Sequence, residues 1–292
     1  MEYLIHIGII LGIYSILIAS AQLVIGHARL ITLGQGAFFG AGAYFMALSM
    51  IHLKLPFAAA LLLAVVGNSL IGLLLALPAV KLKGDFFVLT TLGFQFIIFQ
   101  LTYNLKGVTG GSTGLGNIPF IKLPGIWPGN ESSYLLLLTV VLTVLVFLLL
   151  HRLQKSTFGR NLRAMVDHEI LYKASGRSEI KIKAQVIAIS AGTTAAASAL
   201  FAVYMNFLDP QAFNLDKSIL ILTGVMLGGL TRLRHALIGA LTITLIPEVL
   251  RLAGLPAAEG ASIRQILFGL VLVVLVFYAA LKRHNQGERD MK

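Results

Sequence analysis

The chain has 292 residues, of which 57% are apolar and only 12% charged, and it contains no cysteine. An ordinary soluble domain carries about 25% charged residues, so this chain has too few charges to cover a soluble surface. Because the apolar residues form long runs, a soluble enzyme, a nucleic-acid-binding domain and a disordered chain are poor interpretations, despite a net charge of +11. The composition predicts a polytopic membrane protein.

Nine apolar runs are candidates for helices that cross a bilayer, which takes about 20 residues each. They occupy residues 3–24, 33–50, 57–79, 86–103, 133–151, 183–206, 218–230, 236–252 and 264–281. Continuous runs favour helices over the alternating pattern of a β-barrel. The first run lacks a basic flank and a cleavage site, so we expect it to be retained as a span. The predicted fold is an all-α polytopic membrane protein of about nine transmembrane helices, some short or broken, forming one domain over 1–292.

The distribution of positive charge predicts the orientation of these spans. If the C-terminus is cytoplasmic, seventeen of the 23 Lys and Arg residues fall inside and six outside. Cytoplasmic loops are enriched in Lys and Arg, so we expect the N-terminus outside and the C-terminus inside. This orientation gives a periplasmic loop at 104–132, a basic cytoplasmic loop at 152–182 and a cytoplasmic tail at 282–292.

Two glycine-rich stretches, 34–44 and 224–240, are candidates for a transport pathway. Small residues four apart allow helices to approach closely, and glycine runs also allow a helix to break where its backbone lines a cavity. An interrupted helix that lines a pathway and a tightly packed helix both remain open. Two such stretches in two halves of a chain suggest an internal inverted repeat. The candidate pathway-lining residues are Gly34, Gln35, Gly36, Phe38, Gly40, Gly228 and Gly229.

Few ionisable side chains lie within the predicted spans. Gln22, Asn68, Gln95 and Gln100 are expected to join helices by hydrogen bonds. Glu248 is the clearest ionisable residue in a span, and a local ion pair with Arg251 is favoured over a proton relay. The sequence has no metal-ligand spacing and no hydrolase pattern, so no metal, cofactor or catalytic residue is predicted.

The run 107–114 is glycine-rich but is not a nucleotide-binding loop. It lacks the Lys before Ser or Thr that reaches the phosphates in a P-loop. Any ATP-driven work would therefore need a separate subunit.

Four stretches carry a resemblance to a known family: LGQGAFFGAGAY from Leu33, KGDFFVLTTLG from Lys83, TGGSTGL from Thr109, and GRNLRAMVDHE from Gly159. In this order and spacing they resemble the LivM-type permease subunits of branched-chain amino acid ABC importers. Gln35 stands where that family commonly has histidine, and Gly229 is followed by additional basic residues.

The resemblance implies a permease of the cell inner membrane, surrounded by lipid, that forms a pathway with a homologous permease subunit. It also implies two cytoplasmic ATPase subunits, a periplasmic substrate-binding protein and no nucleic acid. The loop predicted to face the binding protein contains Gly110, Gly111, Ser112, Thr113 and Gly114.

The resemblance further implies that the 152–182 loop carries a helix that couples ATP hydrolysis to transport. A helix is predicted over Arg160–Ala174, with Gly176 as its left-handed C-cap. Met165, Ile170 and Leu171 would give this helix an apolar docking surface. The candidate coupling residues are Arg160, Arg163, Met165, Asp167, Glu169, Leu171 and Gly176.

Three other functions remain open at this point. A permease of a urea or amide importer would use a similar chain. A self-sufficient secondary transporter or channel would need an ion-coupling group, for which Glu248 is the candidate. A membrane-embedded assembly subunit without transport activity is the third.

Overall fold

A computed structural model describes residues 2–82, 84–119, 131–230, 232–252 and 269–270. The predicted ninth span at 264–281, apart from 269–270, lies outside the described residues. Part of the 104–132 loop and the tail at 282–292 also lie outside them.

The described part of the chain is built almost entirely of helices. They are α1 (Glu2–Gln22), α2 (Gln35–Ile51), α3 (Phe57–Ala79), α4 (Asp85–Asn104), α5 (Lys106–Thr109), α6 (Glu131–Lys155), α7 (Thr157–Asp167), α8 (Glu169–Ala174), α9 (Glu179–Met205), α10 (Leu215–Gly228) and α11 (His235–Leu252). α1 continues as a π-helical turn, Leu23–His27, and 3-10 turns lie at Gly111–Thr113 and Pro210–Phe213. Two short strands, β1 (Leu115–Gly116) and β2 (Phe207–Leu208), pair antiparallel with Leu115 opposite Leu208.

Among the described residues, five helices are long and apolar enough to cross a membrane: α1 with its π-helical turn, α3, α4, α6 and α9. α2 and the first part of α11, His235–Ile246, are shorter apolar helices. α10 is shorter still, at 14 residues. The chain is therefore an all-α polytopic membrane protein.

The long helix α9 forms the centre of the bundle, with its membrane-spanning part almost entirely buried. It is rich in Ala, Ser, Thr and Gly, and such small side chains allow neighbouring backbones to approach closely. A Cβ at Gly72 of α3 would lie 2.8 Å from Cβ of Ala191, and one at Gly42 of α2 would lie 2.7 Å from Oγ of Ser198. α4 and α6, by contrast, expose most of their apolar side chains.

Two segments between the α-helices, 28–34 and 206–214, enter the bundle from opposite ends. The first leads into α2, and the backbone N–H of Leu33 donates to Oγ1 of Thr91, well inside α4. The second leads into α10, and the carbonyl of Phe213 accepts from Gln95, halfway along the same helix. Both short helices therefore begin in the interior of the bundle.

The positions of these segments differ from the prediction that the helix breaks lie within the two glycine-rich stretches. α2 is unbroken from Gln35 to Ile51, so the interruption precedes the first glycine run and does not lie inside it. The counterpart of the 28–34 segment is 206–214, which lies at the opposite end of the bundle. It is not the 224–240 stretch, which forms the end of α10, the turn after it and the start of α11.

The predicted orientation can be tested with single cysteines because the chain has none. Ser112 and Ser178 are exposed at opposite ends of the bundle. In intact cells, we expect Ser112→Cys to react with a membrane-impermeant maleimide and Ser178→Cys to react only after permeabilisation. The reverse pattern would contradict the orientation taken from the charges.

Candidate functional site

The first turns of α2 and α10 meet in the bundle interior. The backbone N–H of Gly36 donates to Oγ of Ser218 at 2.8 Å, and this hydroxyl lies 3.1 Å from Oε1 of Gln95, to which it donates. The amide nitrogen of Gln95 donates to the carbonyl of Phe213 at 2.8 Å. The bond to Ser218 satisfies a backbone N–H that the start of α2 leaves without an intrahelical partner. We call Gly36, Gln95 and Ser218 the junction.

The Gln35 side chain lies beside the junction and joins three helices. Its Nε2 is 3.0 Å from Oγ of Ser190, which donates to the carbonyl of Ser20 at 2.7 Å. Oγ1 of Thr194 donates to Oε1 of Gln35 at 3.4 Å. All four residues are buried, so this network links α1, α2 and α9 where an unpaired polar group would be costly.

The predicted pathway residues of the first stretch are buried within this chain: Gly34, Gln35, Gly36, Phe38 and Gly40. Phe38 packs against Phe94, with ring centroids 5.7 Å apart. A Cβ at Gly40 would lie 3.0 Å from the Phe213 side chain. These contacts support close packing of α2 as the role of its glycines.

Gly228 and Gly229 lie apart from the junction, at the predicted inner end of α10. Gly228 closely approaches the backbone of α11, and Gly229 has a φ of +102° that a residue with a side chain rarely adopts. Gln22 of α1 donates to the carbonyls of Gly229 and Arg232, at 2.7 and 2.9 Å. The second glycine stretch thus makes a tight turn held by α1 and does not share a site with the first.

Residues 110–116 of the predicted outer loop form a compact turn that is joined to the 206–214 segment. Gly110, Gly111 and Gly114 all have positive φ. Glycine adopts this conformation without steric cost, so the backbone of the turn accounts for a glycine at each of these positions. A Cβ at Gly114 would lie 2.7 Å from the carbonyl oxygen of Leu208, on the strand that pairs with this loop. Ser112 and Thr113 are exposed at the tip.

The predicted coupling helix consists of two helices, α7 and α8, with a kink at His168. Gly176 has a φ of +75°, as expected for a left-handed cap. Arg160, Arg163 and Asp167 are exposed. The apolar residues of the two helices do not all share one face.

The apolar residues of these two helices separate into buried and exposed groups. Leu162 and Met165 are each 2% exposed and pack into the core. Ile170 and Leu171 are 83% and 65% exposed. The expectation that Met165 belongs to a docking surface is therefore corrected: in this structure it holds α7 to the bundle.

Two glutamates and two lysines connect α8 to α9. Nζ of Lys173 lies 2.9 Å from Glu169 and 2.8 Å from Glu179, and Nζ of Lys183 lies 3.2 Å from Glu179. The hydrogen bond from Lys173 is the main cause that lowers the pKa of Glu169 to about 2. Because folding lowers this pKa, the ionised Glu169 stabilises the folded protein at pH values above the usual pKa of a glutamate. This stabilisation is lost as the pH falls toward 2.

Sequence reasoning missed Ser190, Thr194 and Ser218. Each is a small hydroxyl residue in an apolar span, and such residues commonly bond to their own helix. Here they also bond across helices. Ser218 could have been found only by knowing that α10 begins inside the bundle.

The comparisons with known proteins identify the family. The family described as "Branched-chain amino acid transport system / permease component" matches residues 3–276. The chain belongs to this family.

Three relatives carry a LivM name. The high-affinity branched-chain amino acid transport system permease protein LivM of Salmonella typhimurium is 31% identical over 261 residues, covering 82% of this chain and 61% of the relative. LivM of Escherichia coli is 30% identical with the same coverage. A probable LivM of Methanocaldococcus jannaschii is 27% identical over 75% of this chain and 65% of its own. The chain thus spans about 61% of the length of the first two relatives, and no solved structure matches it significantly.

The junction predicts a steric limit at Gly36. A Cβ there would lie 2.7 Å from Oγ of Ser218, and moving this hydroxyl would break its bonds to Gly36 and Gln95. We expect Gly36→Ala to destabilise the purified protein by about 1–3 kcal/mol, measured as a lower midpoint of thermal unfolding in detergent.

Gly93 is the matched control, since its Cβ would meet nothing within 4 Å. Gly93→Ala should leave the midpoint unchanged or raise it slightly, because Ala is the better helix former. If Ser218→Ala fails to reduce the effect of Gly36→Ala in the double variant, the clash with the hydroxyl is not its cause.

Proposed function

We propose that this chain is the permease subunit of an ATP-driven importer of branched-chain or other hydrophobic amino acids in the inner membrane. It forms the translocation pathway with a homologous permease subunit, receives substrate from a periplasmic binding protein and is driven by two cytoplasmic ATPase subunits. Membership of the permease family supports this function. The single observation that carries the coupling role is the exposed surface of α7 and α8.

This surface combines charged and apolar side chains in the predicted cytoplasmic loop. Arg160, Arg163 and Asp167 of α7 offer both signs of charge, and Ile170 and Leu171 of α8 expose large apolar side chains. A loop that serves only to set orientation has no use for exposed Ile and Leu. An apolar patch with a charged rim is typical of a protein interface, here one that fits a groove on an ATPase subunit.

The opposite face of α7 supports transmission of movement into the membrane. Met165 and Leu162 pack into the core, and α7 contacts the π-helical turn Leu23–His27 at the end of α1. That turn leads directly into the 28–34 segment and the start of α2. A displacement of α7 would therefore reach the junction through a short, packed route.

A second route connects the outer loop to the same junction. β1 pairs with β2, and β2 leads through the turn Pro210–Phe213 to the first residues of α10. A binding protein that docks on the exposed Ser112 and Thr113 would press on this route. The tip is therefore the proposed contact for the periplasmic partner.

The coupling role predicts a separation of two phenotypes. We expect the double variant Ile170→Asp, Leu171→Asp to insert and fold normally but to lose co-purifying ATPase subunits. Truncating a buried interface anchor costs about 2 kcal/mol or more, and adding a charge in its place costs further. The measurement is ATPase recovery on an affinity-tagged permease, together with leucine uptake by proteoliposomes.

Two control variants accompany this test. The double variant Ser156→Asp, Thr157→Asp places the same two negative charges at the start of α7, away from the apolar patch, and should retain the ATPase subunits. Met165→Asp should instead lower the yield of folded protein, because that side chain is 2% exposed. Full ATPase recovery and full leucine uptake with the Ile170→Asp, Leu171→Asp variant would contradict the proposed docking role of this surface.

A further inference from the structure

A cavity of about 360 Å³ lies at the predicted outer end of the bundle, between α1, α9, α10 and α11. Small-molecule sites commonly occupy roughly 300–1,000 Å³. Its wall is mostly apolar, with Ile10 from α1, Phe201 from α9 and Leu220 from α10 among the lining residues. The polar lining residues are His6, Tyr14, Lys217, Thr244 and Glu248.

Lys217 places an ammonium group on the wall of the cavity, beside the hydroxyl of Tyr14. Its Nζ donates to the hydroxyl of Tyr14 at 3.2 Å and lies 5.7 Å from the centre of the Tyr14 ring. Within the described part of the chain, no carboxylate forms an ion pair with Lys217. An ammonium has three donors, so Lys217 retains the capacity to bind an anionic oxygen.

Thr244 and Glu248 line the cavity from α11, one helical turn apart. The Glu248 carboxylate accepts from the Tyr3 hydroxyl. The Thr244 hydroxyl is buried and has no hydrogen-bond partner among the described residues. A buried polar atom without a partner is rare in folded proteins and commonly marks a missing water or ligand. The cavity wall thus carries the Lys217 ammonium from α10. From α11 it carries the Glu248 carboxylate and the Thr244 hydroxyl.

We propose that this cavity binds a zwitterionic α-amino acid with a branched apolar side chain. Lys217 pairs with the α-carboxylate, Glu248 and Thr244 accept from the α-ammonium, and Ile10, Phe201 and Leu220 contact the side chain. This assignment rests on the proposed import function and identifies a substrate site for it. Lys217 directly precedes Ser218 of the junction, so an occupied cavity contacts the first turn of α10.

Accessibility of an introduced cysteine tests binding separately from transport. Leu220→Cys is made in the full chain, assembled with its partner and ATPase subunits in lipid nanodiscs and without binding protein. We expect millimolar leucine to slow its modification by a methanethiosulfonate reagent. Leucinamide, which lacks the carboxylate, and isocaproate, which lacks the ammonium, should give no protection. Ile10→Cys is the second reporter if Leu220→Cys does not assemble.

Three variants control this experiment. Lys217→Gln should raise the leucine concentration for half-protection by about tenfold or more, since it removes a charge-assisted hydrogen bond. Lys217→Arg keeps the charge and should retain protection. Ser112→Cys at the outer loop should react equally with and without leucine.

The outcomes separate the site from the function. If the same complex imports leucine in proteoliposomes supplied with the binding protein but leucine never protects either reporter, the site is overturned and the import function stands. Protection that persists in Lys217→Gln, or that leucinamide also gives, overturns the carboxylate assignment. Low reactivity that is independent of leucine and rises when lipid is exchanged for detergent indicates a lipid occupant and overturns the proposal. Leucine protection without uptake supports the site while contradicting the import function.

Discussion

The hydrogen bond from the Gly36 backbone to Ser218 is the contact on which the centre of this structure depends. A helix that begins inside a membrane bundle presents backbone N–H groups where water cannot satisfy them. Ser218 accepts from one of these groups and donates to Gln95, which in turn donates to the segment leading into α10. Because Gly36 has no side chain, α2 can approach closely enough to form this bond.

The junction brings together parts of the chain that begin at opposite ends of the bundle. One route passes from α7 through the π-helical turn to α2, and the other passes from the outer loop through β2 to α10. In the proposed transporter, these routes would carry the effects of ATP hydrolysis and of binding-protein docking. A contiguous set of packed elements makes such coupling physically possible, and the variants at Ile170 and Leu171 test one arm of it.

Polar side chains are used in this bundle mainly as links between helices. Asn68 of α3 donates to the carbonyls of Phe38 and Ala191, at 3.0 and 2.6 Å, and thereby joins three helices. Gln22 and Gln95 also bond across helices, as the sequence predicted. Gln100 does not within the described chain: it is exposed and bonds to Asn104 on its own helix.

The sequence by itself determined the helical class, the positions of the described long helices, the left-handed Gly176 and the family, because these depend on local hydropathy, backbone geometry and motif order. Only the tertiary structure decided that Met165 faces inward and Leu171 outward. Six residues at about 100° each place the two side chains on different faces of a helix, and the packing against the bundle selects which face is buried. It also brought Lys217 and Glu248 to one cavity. Such contacts between distant residues depend on which helices pack together, and hydropathy along the chain does not specify that packing.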